Sequence, residues 1–484
     1  MSITSALSNA LSGLSANARA AGVVSANLAN IQTDGYGRRD IALSHDRYGA
    51  GGGVRVTGIT RHVDAGVLSD RRLADSALAH SETRAQFLKE VQGAVGTPDQ
   101  PGSLSARIAA LEAALITAAS RPEADNRLQQ VSQRAVEVVA GFNNVSDDIQ
   151  SQRMRAEEQI ESAVRGLNAD LGQVRDLNVQ IQNAQRRGHD PSSLLDHRQV
   201  VVDRVADMIP VREVPRDDGA VALMTPGGAP LVDGPSATLE FTRSNDIAPH
   251  MTLDVGLLSG IKIDGRDIAP AGMRSPISGG RLSALFEVRD SLSVDAQRQV
   301  DALARDMIDR FQDPALDATR GPTDPGIFTD AGGVFNAADE TGVAGRMQLN
   351  ALVDPAAGGE ARRLRDGLGT AGPGAAGDAG FLHALGDALS GSRAMASGDL
   401  GGGSGSTAQH LGAMVSQLAQ TALAEDRATS FAAVRQTGLE ERLLADGVNS
   451  DEETARLLLI EQAYSANARM IQTLDEMMQT LLRI

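Results

Sequence analysis

Residues 3–31 read ITSALSNALSGLSANARAAGVVSANLANI, and the spacing of their apolar side chains decides how the chain folds. Ile3, Ala10, Asn17, Val24 and Ile31 form one series, and Leu7, Leu14, Ala21 and Leu28 form the other. The steps alternate by four and three, which draws a single apolar stripe along a helix of about 28 residues, roughly 42 Å long. The opposite end repeats the design. Residues 450–482 read SDEETARLLLIEQAYSANARMIQTLDEMMQTLL, with Leu457, Tyr464, Ile471 and Met478 in one series and Ile460, Asn467, Leu474 and Leu481 in the other. Ser450 with Glu453 reads as a capping box, and Asp451 and Glu452 put negative charge where a helix dipole favours it. Each stripe carries one polar residue, Asn17 in the first and Asn467 in the second.

Ordinary core helices use the same spacing, so one stripe alone decides little. Two matched stripes at opposite ends most simply pair with each other. A lone two-helix pair exposes apolar surface unless further copies cover it. The expected product is a polymer.

Between the ends, residues 122–187 contain almost no helix breakers beyond Gly141, Gly166 and Gly172. Leu128, Ala135, Phe142 and Ile149 keep one heptad phase; Ile160, Leu167, Val174 and Ile181 keep another. The slip between them reads as a stutter in one long rod-like helix. Shorter helices are predicted over 81–95, 104–119, 193–208, 281–311 and 409–444. Strand patterns gather elsewhere: Val54, Val56 and Ile59 after a Gly-rich turn at 49–53, then Val221–Met224, 239–241, the alternation Met251, Leu253, Val255, and Ile261 and Ile263 before the hairpin turn Asp264-Gly265.

The predicted fold class is mainly α with a β-rich insert: paired terminal coiled-coil helices, a long-helix bundle domain and outer β-containing domains. Residues 1–45 with 447–484 would form the terminal helical unit. Residues 46–210, 281–315 and 406–446 would form the helical bundle with a β-hairpin. Residues 211–280 would be the β-rich insert, and 316–405 a Gly/Ala-rich exposed insert and linker.

Composition narrows the function. Aromatic residues are 2% of the 484 and Trp is absent, which favours helices packed through small aliphatic side chains over deep aromatic ligand pockets. A net charge of −17 argues against nucleic acid, whose binding rests on Lys and Arg neutralising phosphates. The absence of Cys removes thiolate chemistry and Cys-type zinc sites. The eight His are scattered without H-E-x-x-H spacing, and neither a Walker A motif nor a G-x-S-x-G elbow occurs. No catalytic, cofactor or metal site is predicted, and no enzyme. The start, with its first positive charge at Arg19, lacks the basic and apolar regions of a secretory signal, and no run approaches a membrane span. The chain is expected either to stay cytoplasmic or to leave by dedicated machinery, with no membrane insertion.

The segment after the first helix, Asn27-Leu28-Ala29-Asn30-Ile31-Gln32-Thr33-Asp34-Gly35-Tyr36-Gly37-Arg38, reads physically as a helix stop followed by a turn, with Tyr36 able to fold back on apolar surface. It resembles the N-terminal signature of the flagellar rod, hook and hook-associated family, close to N-N-I-A-N-x-x-T-x-G-Y-x-R. Asn27, Asn30, Thr33, Gly35, Tyr36 and Arg38 fall on that pattern, while Ala26, Leu28 and Asp34 depart from it. Gly53-Val54-Arg55-Val56 with Ile59, Arg61 and Asp64 resembles the strand that follows the signature. Leu194-Leu195-Asp196-His197-Arg198 resembles an L-L-D-x-R-D helix start of hook-associated members, with Gln199 in place of the last Asp. Gly447-Val448-Asn449 leading into Gln462-Ala463-Tyr464-Ser465-Ala466-Asn467-Ala468-Arg469 is similar to their terminal segments.

The resemblance implies a structural component of the bacterial flagellum at the hook–filament junction, polymerising through its terminal helices as an inner tube. It implies a ring of about eleven copies, contacts with the hook protein and a second junction protein, and an export chaperone on the C-terminal helix. It also implies passage through the flagellar type III apparatus to an extracellular position without a cleaved signal. A divergent hook protein shares these motifs. A non-flagellar coiled-coil scaffold would explain the heptads but not Gly35-Tyr36.

Overall fold

The computed structural model describes residues 3–45, 52–272, 274–398 and 403–483. Helix α1 (Ile3–Ala29) leads into a ribbon of β1 (Arg38–His45) and β2 (Val54–His62), paired antiparallel from Arg38↔His62 to His45↔Val54. Then come α2 (Ala65–Val95), α3 (Leu104–Ala119), the rod α4 (Asp125–Arg186) and α5 (Ser192–Met208). Asp64 caps α2 by accepting from the Gly66 and Val67 amides, and Ser103 caps α3 through the Ala106 amide. These caps fix where the chain turns into helix.

The rod is one unbroken helix of 62 residues, about 93 Å at 1.5 Å per residue. All eight stripe residues predicted for it are buried, and the eleven-residue step between Ile149 and Ile160 is the expected slip. The slip divides two cores. One gathers Leu128 to Ala156 of α4 with α3 and later segments; the other gathers Ile160 to Leu177 of α4 with α5 and residues from both halves of the β-rich region. Between them Arg153 and Glu157 sit buried on α4.

That second core is closed by two small sheets. Strands β3 (Arg212–Pro215), β4 (Val221–Met224) and β5 (Pro230–Val232) form one; β6 (Leu239–Glu240), β7 (Ile261–Ile263) and β8 (Arg266–Ile268) form the other. The β7–β8 turn is Asp264-Gly265, both at positive φ (49° and 74°), the conformation such a turn demands. The strand predicted through Met251, Leu253 and Val255 is corrected: the backbone turns there, and Val255 is exposed. Its alternation is accidental, because Arg153 captures the Ala248 carbonyl at 3.3 Å, and the Met251 carbonyl with it, and fixes the segment as a loop.

The chain returns through α6 (Arg281–Glu287), a π-helical turn (Val288–Leu292) and α7 (Ser293–Gln312), continuous where one helix was predicted. The π-turn lies beside the slip in α4. There Arg289 donates to Glu157 at 2.6 Å and to the Ser259 carbonyl at 2.9 Å, while Glu157 accepts the Ser244 amide at 2.7 Å. Burial lowers the Arg153 pKa to about 10.

Residues 316–405 correct the expectation of an exposed insert. They carry β9 (Phe328–Asp330), α8 (Val343–Arg346), β10 (Met347–Leu349), α9 (Arg363–Asp366), α10 (Gly380–Ser390), β11 (Arg393–Ala394) and, after Gly403, the first strand residues of β12 (Ser404–Gly405). Phe328, Val343, Met347, Leu364, Leu382 and Leu385 are buried in the first core. Few apolar residues suffice because buried polar groups anchor the backbone. Asp301 accepts the Gly342 and Ala344 amides at 2.7 and 2.9 Å, and Arg310 donates to the Ala388, Gly391 and Gly405 carbonyls. Gly401 and Gly402 of the predicted linker, and residues 49–51 of the predicted turn, lie outside the described residues.

Helix α11 (Thr407–Ala445) opens with a capping box of Ser406 and Gln409 and packs along α2, with Arg84 donating to Glu425 at 2.9 Å. Helix α12 (Ser450–Leu482) follows. The predicted capping box of Ser450 with Glu453 is corrected by one residue. Asn449 is the cap and accepts the Asp451 and Glu452 amides, while Ser450 is already helical and Glu453 is buried. Two further differences concern extent. Residues 38–45, placed with the terminal helices, are a strand, and α2 starts at Ala65 instead of near residue 81.

Candidate assembly interface

Where α1 ends, Asn27 is fully buried and acts like a strand residue. Its Nδ2 donates to the Arg39 carbonyl at 2.9 Å, and its Oδ1 accepts the Arg39 amide at 3.0 Å. The same Oδ1 accepts the Tyr36 hydroxyl at 2.9 Å, so the chain folds back and the helix end, the turn and β1 become one unit. Asn30 closes the turn: its Nδ2 donates to the Ala26 carbonyl and its Oδ1 accepts the Thr33 hydroxyl at 3.2 Å. The Arg39 guanidinium lies 4.7 Å from the Tyr36 ring centre. Burial raises the Tyr36 phenol above its ordinary value, with the Arg39 charge opposing.

Two motifs far apart in sequence meet here. Gly35 has φ +75°, and a Cβ there would stand 2.5 Å from the Val200 Cγ2 of α5, so both conformation and space call for glycine. Asp196 on α5 accepts the Gly37 amide at 3.0 Å and Arg61 Nε at 2.6 Å through Oδ1, and pairs with Arg39 through Oδ2. Arg61 also reaches the Gly35 carbonyl at 3.1 Å and Gln199 Oε1 at 2.6 Å, so the Gln that replaces the last Asp of the motif still receives a guanidinium. Arg198 points the other way, to Asn178 Oδ1 at 2.9 Å and the Gly219 carbonyl at 2.7 Å, and burial lowers its pKa. Leu195 is half-buried.

A second charged joint ties in the C-terminal helix. Asp40 accepts Arg456 at 2.6 Å and lies 3.0 Å from His62 Nε2, while Arg38 approaches Glu452 at 3.8 Å. Gly447 and Val448 form the half-buried link between α11 and α12, ahead of the cap Asn449. Asp40 and Arg456 were not singled out from sequence. They stand 416 positions apart, and no local pattern connects them.

Because β1, just beyond the end of α1, meets the start of α12 through Asp40 and Arg456, and Gly13 in the first half of α1 meets Asn467 in the second half of α12, the two terminal helices run antiparallel. A Cβ on Gly13 would come 2.9 Å from Asn467 Nδ2, so the polar stripe residue fits where its neighbour has no side chain. Of the predicted stripe, Ala10, Val24 and Leu474 are buried, and Ile3, Leu7, Leu14, Asn17, Ala21, Leu28, Leu457, Ile460, Asn467 and Ile471 are half-buried. Ile31, Tyr464, Met478 and Leu481 are exposed. Ala16 and Val23, outside both series, are buried as well. Exposed apolar residues also lie off the stripe, among them Leu11, Leu458, Leu459, Met470, Met477 and Leu482. The pair therefore covers one face of each helix and leaves most of the exposed apolar residues on α12. Among the described residues no cluster of His, Asp and Glu is placed to hold a metal, and no helix is long and apolar enough to cross a membrane.

Residues 88–315 match the family described as flagellar hook-associated protein FlgK helical domain. Residues 441–484 match the C-terminal family of flagellar basal body rod FlgEFG proteins, and residues 7–36 match that of flagella basal body rod proteins. Flagellar hook-associated protein 1 of Bacillus subtilis is 22% identical over 98% of this chain and 97% of its own length. The protein of that name from Salmonella typhimurium is 28% identical over 49% of this chain and 44% of its own. A solved structure, the flagellar hook junction protein FlgK from Burkholderia pseudomallei, is similar over 54% of this chain and 46% of that one, at 19% identity and a TM-score of 0.44. The last two similarities span less than half of each relative.

Proposed function

We propose, for a chain that is a FlgK-like flagellar protein, hook-associated and structural and not an enzyme, that it builds the hook–filament junction by polymerising through α1 and α12. The observation that carries this reading is the half-covered helix pair. Antiparallel pairing uses one face of each terminal helix, and along another side of α12 Leu459, Met470, Met477 and Leu481 stay exposed at steps of eleven, seven and four residues. So large an uncovered apolar row is stable in water only when another surface meets it. Residues 1–45 with 447–484 then line an inner tube, and the remaining units face outward. Copies of the chain form a closed ring, about eleven by family resemblance. The hook protein and a second junction protein lie on either side, and an export chaperone covers the C-terminal helix beforehand. Similarity along nearly the whole length of a hook-associated protein 1 supports the junction over the hook itself.

A deletion strain tests this. Loss of the gene should leave intact hooks without filaments and spill filament protein into the medium. Complementation by the native chain should restore swimming, and by Leu459→Asp should not, because Leu459 is 64% exposed in the single chain and a charge there harms only the assembled state. Leu474 serves as the contrast. It is already buried within the single chain, so Leu474→Asp should open the helix pair itself. Full swimming with Leu459→Asp would overturn the proposal.

A further inference from the structure

All sulfur in this chain is thioether: 13 Met and no Cys. Met307, Met347 and Met414 are buried in the first core. Among the described residues the exposed methionines are Met470, Met477 and Met478, at 52%, 50% and 38%, and all three lie on α12. Their placement is ordered. Met470 and Met477 stand one heptad apart on one face, Met477 and Leu481 one turn apart, and the buried Leu474 sits between them. Among the described residues the most exposed sulfur is thus gathered on the last helix, with Met470 and Met477 on its open side and Met478 at the exposed end of the stripe.

We propose that Met470, Met477 and Met478 form an oxidation site for hydroperoxides that blocks assembly until it is reduced; the inference rests on the polymer reading above. A thioether lone pair attacks the terminal oxygen of the peroxide, the O–O bond breaks, and an S–O bond forms. Sulfur is oxidised to the sulfoxide, while the O–O electron pair goes to the leaving oxygen, which takes the proton of the transferred hydroxyl and departs as alcohol or, from hydrogen peroxide, as water. Each sulfoxide puts a strongly polar oxygen on a face that must become dry, and a buried polar group without a partner opposes burial. Once copies have met, the same sulfurs are covered, so the site reports and controls only the unassembled chain. Reversal is by the methionine sulfoxide reductases, which act on each epimer.

The full-length chain is treated with hydrogen peroxide and, separately, with tert-butyl hydroperoxide, and peptide masses are followed in steps of ~16 Da. The peptide holding Met470, Met477 and Met478 should take up oxygen roughly tenfold faster than those holding Met307 or Met347. Oxidised chain should then need at least about tenfold higher concentration to co-sediment with hooks from the deletion strain, and sulfoxide reductases with a thiol should restore it. The variant M470L/M477L/M478L is compared only with itself: whatever its own affinity for hooks, peroxide treatment should leave that affinity unchanged. Equal uptake at buried and exposed methionines would refute the site. Normal hook binding by oxidised chain, or peroxide sensitivity in the leucine variant, would refute the block. If untreated chain does not bind hooks at all, the polymer reading fails and the block fails with it, although selective uptake on α12 would still register.

Discussion

Asp196→Ala should release the terminal arm from the helical body without unfolding that body. The carboxylate accepts the Gly37 amide and Arg61 Nε and pairs with Arg39, and the three side chains are only 13%, 14% and 17% exposed. Hydrogen bonds to a charged group are each worth about 1.5–3 kcal/mol net. Simple addition overstates the loss, because Arg61 keeps Gln199 and the Gly35 carbonyl, and Arg39 keeps the Tyr36 ring. A cost of about 3 kcal/mol follows, a little over a hundredfold in the local opening constant. Amide hydrogen exchange reads this directly. The Gly37 and Arg39 amides should exchange about a hundredfold faster, while those of Val138 and Phe142 in the rod stay unchanged. Asp196→Asn, which can still accept one hydrogen bond, should recover part of the protection. Unchanged exchange at Gly37, or equal acceleration in the rod, would refute the idea that this carboxylate is a local joint.

Asn27→Ala removes three hydrogen bonds from a fully buried side chain and should cost about 2–4 kcal/mol in the same local opening; Tyr36→Phe, which loses one, about 1 kcal/mol. Burial raises Asp301 to about 6, and its backbone and Gln297 hydrogen bonds oppose the rise. A folded pKa above the unfolded value of 3.8 means the folded state holds the proton more tightly. Stability should therefore rise as pH falls from 7 through 6 toward 4, by up to about 2–3 kcal/mol, and Asp301→Asn should flatten that slope in thermal melts. Glu157→Ala leaves the buried Arg289 short of a partner and should lower stability by about 3 kcal/mol by denaturant titration. The double replacement Glu157→Met with Arg289→Met should recover most of it, with a large coupling term.

Legibility followed periodicity. The eight rod positions from Leu128 to Ile181 could be read because each is buried by a simple repeat, and α3 fell where the pattern put it. Asp264-Gly265 was readable because the turn needs positive φ. The first half of α2 was not, since residues 65–80 hold few large apolar side chains. It is held by the Asp64 cap and by Arg72, which is buried and paired with Asp203 and Glu213 at 2.6 Å, partners more than a hundred positions away. Strand β1 was missed for a related reason: its residues are mostly half-covered on both sides, so no alternation marks it. Residues 316–405 look like exposed chain by composition because the buried polar anchors Asp301 and Arg310 lie outside the segment they hold. In the motif junction, Asp196 and Gly35 could be picked out, but not that they touch.

The rod carries one more implication. A seven-residue step falls about 20° short of whole turns, and an eleven-residue step overshoots by about as much. From Leu128 to Ile181 the buried stripe migrates roughly 100° around the axis. Helix α3 grips one bearing and α5 another, at different compass points on a single shaft. A twist imposed on α5 through Asp196 would meet, on its way to the α3 end, 62 residues of continuous helix with no loop in series to wind up.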